Sequence, residues 1–250
     1  MSDPLEASRR DWETLAAQDP FWAVLTEPDT RGNKWDLDSF FENGALHVVQ
    51  IVEKLKTLGA QVGTGRVLDF GCGPGRCTQA FADHFDQVDG VDVAGPMVEL
   101  AEQLNRHGDR CRYHVNTVPD LALFDDGTFD IVHSTITLMH IPKSSALQYI
   151  REFVRVAKPG GFIVFDVPAR SKPRLRGFIH RTLPRRVIRL LFRLRYGMAT
   201  FIDMNPIRRP EVIKTLESAG ADVISVQEMP APKWLRYLYA AKRRAENPAT

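Results

Sequence analysis

The chain has 250 residues, 44% of them hydrophobic, and a formal net charge of +2, which is enough apolar material for one full core. Its three cysteines, Cys72, Cys77 and Cys111, have neither the even count of a disulfide framework nor the spacing of a metal site, and so argue for reduced thiols. Met1 to Arg10 lacks an apolar core and nowhere do eighteen apolar residues run together, so neither a signal peptide nor a membrane span is expected, and a cytoplasmic location is.

In chain order, helices are predicted over roughly 5–18 and 37–58, an N-terminal cap (residues 1–60) within a single domain. Trp12, Phe21 and Trp22 form an apolar cluster there, suited to lining a cavity. A buried strand near 66–70 runs into Gly71-Cys72-Gly73-Pro74-Gly75, and a helix follows from about Arg76. Three glycines in that loop fit a chain that turns sharply where side chains would block a bound molecule; a turn with no ligand is the alternative. A dinucleotide loop wants a further glycine at position 76, whereas this chain has Arg76, and the acidic Asp69 enters the loop. Both departures favour a ligand without a diphosphate. With no histidine partner following it, Cys72 reads as a packing residue and not a nucleophile.

The next strand, near 87–92, ends on Asp92, about 20 residues beyond Gly71, where a carboxylate can accept the two hydroxyl protons of a ribose. An acid capping the following helix, which begins around Gly95-Pro96, is the other reading. Strands near 111–115, 129–134 and 161–167 follow, with helices between them. Beyond an elaboration at 169–205, a helix at about 210–219 ends at Gly220 and a strand covers Ala221 to Glu228. Periodicity leaves 234–242 open between strand and helix. The alternation predicts an α/β fold with a doubly wound, mainly parallel sheet.

Charge is divided along the chain: residues 1–168 hold 15 Lys and Arg against 25 Asp and Glu, and residues 169–250 hold 18 against 6. Within 170–195 there are ten basic residues and no acid. Leu183, Val187, Leu190, Leu191, Leu194 and Met198 recur at helical spacing, with Arg185, Arg189 and Arg193 as a separate stripe. Such a basic amphipathic helix packs over a site as a lid, lies on an anionic membrane surface at its inner face, or meets another anion. Nucleic acid is not favoured, because no recognised binding module accompanies the charge.

Leu68-Asp69-Phe70-Gly71-Cys72-Gly73-Pro74-Gly75 closely resembles motif I of the class I S-adenosylmethionine-dependent methyltransferases. Val88 to Val93, Thr135-Ile136-Thr137-Leu138-Met139-His140-Ile141-Pro142 and Arg155 to Gly161 resemble later segments of that family in the right order, so the likeness runs from about residue 45 to 168. The resemblance implies a seven-stranded Rossmann-like sheet: residues 61–168 as the cofactor-binding core, 169–205 as a substrate lid, and 206–250 completing the sheet with an antiparallel last strand. It implies S-adenosyl-L-methionine as cofactor, with Asp69, Gly71, Cys72, Gly73 and Gly75 along its methionine end and Asp92 on its ribose. Val93 and Met97 would cover the adenine. Asn116 stands where the family usually carries an aspartate that meets the adenine amino group, and Ser134 ends the strand leading to the segment beneath the methionine. Trp35, Phe40, Phe41, Asn43 and Gly44 resemble a region that folds over the cofactor in some relatives, though core packing explains the aromatics equally well.

The activity so implied is methyl transfer to oxygen, nitrogen or carbon of a small-molecule acceptor, and the amphipathic segment suits one that is apolar or lipid-like. Positioning does most of that chemistry, so a general base is optional; His140 and His133 are the candidates near the motif. No metal is called for. A different class of function, a non-catalytic S-adenosylmethionine sensor or scaffold whose basic helix meets a membrane or partner, uses the same pocket. A nicotinamide dehydrogenase is a third, more distant reading.

Overall fold

Val67 and Leu68 are neighbours in a strand and both are fully buried, which requires a covering layer on each face of the sheet. The computed structural model, which describes residues 4–172 and 204–245, supplies both layers. Seven strands, β1 (Arg66–Phe70), β2 (Gln87–Asp92), β3 (Cys111–Val115), β4 (Phe129–Ser134), β5 (Ala157–Ser171), β6 (Ala221–Met229) and β7 (Trp234–Arg243), form one sheet in the order β3-β2-β1-β4-β5-β7-β6. β1 to β5 are mutually parallel where they pair, and β7 runs antiparallel to both β5 and β6. The segment that periodicity left open is therefore a strand, with the direction the resemblance implies.

Helices α1 (Pro4–Gln18), α2 (Pro20–Val24), α3 (Leu37–Thr57), α4 (Arg76–Ala82), α5 (Gly95–Gln103), α6 (Lys143–Val156) and α7 (Arg209–Ser218) surround the sheet. One face packs Val67, Ile131 and Val164 against Val48, Val52 and Leu55 of α3 and Phe81 of α4. The other packs Leu68, Val132 and Phe165 against Tyr149, Ile150 and Phe153 of α6 and Leu216 of α7. The buried positions of α6, at spacings of three and four, make a single apolar stripe, and burying each large side chain there contributes about 1.5–3 kcal/mol.

Three features differ from expectation. β5 begins at Ala157, paired with Phe129, and not near 161. β5 continues to Ser171, pairing Arg170 with Leu235 and Ser171 with Trp234, so residues 169–171 belong to the sheet and not to the insertion. The short α2 was not expected; Asp19 opens it by accepting from Trp22 N, with Pro20 in the first turn. The basic helix predicted at 183–198 lies outside the described residues. Among the described residues, no helix is long and apolar enough to cross a membrane.

α3 meets α4 at Gly44, where an added Cβ would lie 2.8 Å from the backbone carbonyl carbon of Arg76 and closer still to its oxygen. Replacing a mid-helix glycine by alanine ordinarily gains about 0.5–1 kcal/mol, whereas forcing two backbones apart costs about 1–3 kcal/mol. Overlap wins here. Gly44→Ala is expected to lower the unfolding free energy by roughly 1–2 kcal/mol in urea titration; a stabilised variant would mean the helices separate freely.

Candidate functional site

At the carboxyl ends of β1, β2 and β4 the glycine loop, the α5 entrance and the segment after β4 enclose a crevice of about 750 Å³, counted out to its open mouth. The loop is bound to β2. Gly71 N and Cys72 N both donate to Val91 O, at 2.7 and 3.0 Å. Gly73 N donates to Asp92 Oδ2 at 2.9 Å. Gly71, Gly73 and Gly75 have φ of 78°, 52° and 86°, the left-handed region that side chains resist. At Gly71 the space a Cβ would need is filled by Thr137, whose own Cβ would be 2.6 Å away.

Asp92 faces the crevice. Its Oδ1 accepts from Ala94 N at 2.9 Å, so each carboxylate oxygen holds one backbone N–H and keeps lone-pair capacity for another donor. Burial pushes its carboxyl above the ordinary range, against the opposing pull of those N–H groups. Val93 and the fully buried Met97 form apolar wall beside it.

Asn116 is buried and its amide orientation is fixed by its neighbours. Nδ2 donates to Val118 O at 3.0 Å, to Asp120 O at 2.7 Å and, more weakly, to the Tyr149 hydroxyl at 3.3 Å. An aspartate could not make these donations. Oδ1 consequently remains as an acceptor on the crevice wall, and no described residue donates to it.

Gly71, Gly73, Asp92, Val93, Met97 and Asn116 thus come together as the sequence implied, while Asp69, Cys72, Gly75, Ser134 and His140 do not line the crevice. Asp69 turns into the α3 and α4 face of the sheet, accepting from Thr78 Oγ1 at 2.7 Å and pairing with His133 Nδ1 at 2.9 Å. Cys72 is buried behind the loop, and Gly75 abuts the Tyr113 hydroxyl. Ser134 is buried on the opposite sheet face with its Oγ unpartnered. His140 meets the crevice lining through Trp12, whose ring it faces edge-on at 5.4 Å, and through Ser8, whose Oγ donates to its backbone O at 3.4 Å. His133 is 1% exposed, beneath the site and not at its mouth.

The roof also differs from expectation. Trp12 lines the crevice together with Leu5, Ser8 and Val24. Phe21 packs edge-on against Phe40 at 4.9 Å, and Trp22 lies under the Arg31 guanidinium. Trp35 and Phe41 likewise pack on Phe40, Asn43 accepts from Arg76, and Gly44 touches α4. That region holds α3 in place and does not cover the crevice. Sequence reasoning missed Tyr149, a polar-tipped aromatic on the buried stripe of α6, and Asp166, an acid inside the apolar run of β5; each was visible as an exception to its own pattern.

Beside the site, His47 of α3 meets Thr135 Oγ1 at 3.3 Å and stacks obliquely near His133. Burial first, then the neighbouring His133 and Arg76, lowers its pKa from 6.5 to about 3, so it is neutral in the folded protein. The unfolded chain takes up a proton near pH 6.5 that the native state refuses until about pH 3, and this contribution is lost as pH falls through that window. In urea midpoints against pH, His47→Asn is expected to flatten the decline between pH 6.5 and 4 while leaving the alkaline side parallel; identical slopes would show that His47 is not buried neutral. Among the described residues, no group of three or more His, Cys, Asp or Glu is placed to hold a metal ion.

A parallel sheet closed by one antiparallel strand, a glycine loop after β1 and a carboxylate ending β2 together define the class I methyltransferase fold. Residues 67–161 match the family described as "Methyltransferase domain". Over these residues the chain is similar in sequence to that family, and its fold is that of the class I S-adenosylmethionine-dependent methyltransferases. Curated relatives include the ubiquinone biosynthesis O-methyltransferases of Bordetella avium, 30% identical over 140 residues, and of Xanthomonas campestris pv. campestris (strain B100), 35% identical over 140 residues. Each alignment takes in 55% of this chain and 56% of the relative, so the chain spans about half the length of the curated relatives it matches. Among solved structures, the magnesium protoporphyrin IX methyltransferase of Synechocystis PCC 6803 with bound SAM is similar in fold, with a TM-score of 0.64 at 17% identity, covering 97% of this chain and 98% of that one.

Proposed function

We propose that the crevice binds S-adenosylmethionine and that the chain transfers its methyl group to a small-molecule acceptor of apolar or lipid-like character. One observation carries this reading: a carboxylate with spare acceptor capacity and an unpaired Asn116 Oδ1 stand on the same wall, beside a loop with no room for a side chain at Gly71. When bound, the cofactor supplies an electrophilic methyl on a sulfonium. Asp92 accepts from the ribose hydroxyls, Asn116 Oδ1 accepts from the adenine amino group, and Val93 and Met97 cover the ring. Gly71 and Gly73 let backbone approach the methionine end. Leu5, Trp12, Val24 and Ile141 offer an apolar acceptor a site from which water is excluded, and aligning the two reactants there supplies most of the acceleration.

The names of the aligned relatives, O-methyltransferases acting in ubiquinone biosynthesis, support an oxygen nucleophile on an apolar molecule. His140 would act on such an acceptor only by way of the roof; an unchanged pH profile in His140→Gln excludes it as the base. The basic stripe of Arg185, Arg189 and Arg193 would hold the protein at an anionic membrane face where a lipid-like acceptor resides. Replacing all three by glutamine is expected to abolish sedimentation with anionic vesicles, and wild-type protein that stays in the supernatant removes the idea.

Calorimetry with S-adenosylmethionine tests binding. Incubation of the purified protein with methyl-labelled donor and cell extract, including the lipid fraction, tests turnover by mass spectrometry. Binding without any labelled product or demethylated donor favours the sensor reading, and no binding at all refutes both.

A further inference from the structure

Ile136 lines the crevice with φ of 61°, a left-handed conformation that a β-branched side chain adopts only when something holds it there. The holder is Asp166. Ile136 N donates to Asp166 Oδ1 at 2.7 Å, and Asp166, on β5, is 1% exposed. Its other oxygen lies 3.1 Å from Arg236 Nε of β7, an ion pair too poorly aligned to count as a hydrogen bond for either atom. The residue after Ile136 is Thr137, which occupies the space over Gly71. Arg236, Asp166, Ile136 and the glycine loop therefore form one connected line from the antiparallel strand to the crevice floor.

We propose that Asp166 is a positioning residue: by holding Ile136 in its strained conformation it sets Thr137 against Gly71 and so shapes the crevice for its ligand. This rests on the reading of the crevice as an S-adenosylmethionine site. A buried acid in an otherwise apolar strand has a high desolvation cost, and a backbone N–H at the site is its one aligned hydrogen-bond donor among the described residues. Core packing alone would be better served by an apolar residue there. The tether therefore makes a specific demand: it is needed because residue 136 has a side chain. Glycine at 136 would adopt the same φ without being held.

The test is a cycle of Asp166→Ala and Ile136→Gly, with Asp166→Asn as the conservative variant, read by calorimetric S-adenosylmethionine Kd and by melting temperature without ligand. Asp166→Ala is expected to raise Kd at least tenfold. Asp166→Asn, which keeps an acceptor for Ile136 N, stays within about threefold of the wild type. Adding Ile136→Gly to Asp166→Ala brings Kd back to within about threefold of Ile136→Gly alone. If Asp166→Ala gives no folded protein, Asp166→Ser, too short to reach Ile136 N, replaces it with the same expectation. An unchanged Kd in Asp166→Ala, or simple additivity in the double variant, overturns the proposal. Should wild-type protein bind no S-adenosylmethionine, the reading of the crevice fails separately, and the ligand-free melts decide the tether. Ile136→Gly must then cost less in the Asp166→Ala background than in the wild type, and an equal cost overturns it.

Discussion

Asp92→Ala is expected to raise the Kd for S-adenosylmethionine by about 100-fold or more, while the protein stays folded. Each hydrogen bond from a ribose hydroxyl to an ionised carboxylate contributes roughly 1.5–3 kcal/mol, and two are lost together. The same change frees Gly73 N and Ala94 N, which Asp92 holds at 2.9 Å each, so the loop loses one of its three bonds to β2 as well as its ligand contact. Asp92→Asn separates the two effects. One amide oxygen still accepts, but its NH2 must face one of those two N–H groups, and an intermediate loss of about tenfold follows. Calorimetry measures both, with a thermal melt to check folding. Wild-type affinity in Asp92→Ala would mean that the ligand's hydroxyls go elsewhere and that the crevice has been read in the wrong orientation.

Gly71→Ala is expected to abolish binding and to destabilise the chain by about 2–5 kcal/mol. A side chain at φ of 78° costs roughly 1–2 kcal/mol by itself, and overpacking against Thr137 adds about 1–3 kcal/mol. For a protein of this size that lowers the melting temperature by roughly 5–15 °C, a large part of an ordinary stability margin. Gly95→Ala is the control, because a Cβ at Gly95 meets nothing within 4 Å and its φ is not positive; it should melt within about 0.5 kcal/mol of the wild type. Thr137→Gly in the Gly71→Ala background should recover the overlap and leave the backbone cost. A Gly71→Ala protein that binds normally would show that the loop shifts freely, contrary to its three bonds to β2.

The parts of the crevice that were legible in the sequence are those where local backbone demands select a residue type. Gly71 and Gly73 sit at positive φ, and Asp92 closes a short strand at a fixed distance beyond the glycine loop. Strand positions were legible for the same reason: Val67 and Leu68, or Ile131 and Val132, mark strands buried on both faces. The role of Asn116 was half visible, since its type was plain, but the direction of its amide depends on the Val118 and Asp120 carbonyls, which only the folded loop brings near. Asp69, Phe21 and Trp22 were misplaced because a sequence pattern reports that a residue is buried, not what it is buried against. Phe40 and Trp12 are both aromatic residues of the N-terminal cap, yet one, on α3, is sealed beneath Phe21 and Trp35 and the other faces the crevice. Asp166 and Ile136 are thirty residues apart in sequence, and no local pattern couples them.

The loop thiol has one further consequence. Cys72 lies within the turn that, on the reading proposed here, runs along an alkylating agent, and a thiolate there would compete with the acceptor for the methyl group. It is buried, chiefly by desolvation its pKa is pushed well above the usual thiol value, and its Sγ donates to Gly73 O at 3.6 Å. Cys77, one turn further on, is raised to about 12 for the same reason. Held protonated, away from solvent and off the crevice wall, neither sulfur would compete with the acceptor for the methyl group on that reading.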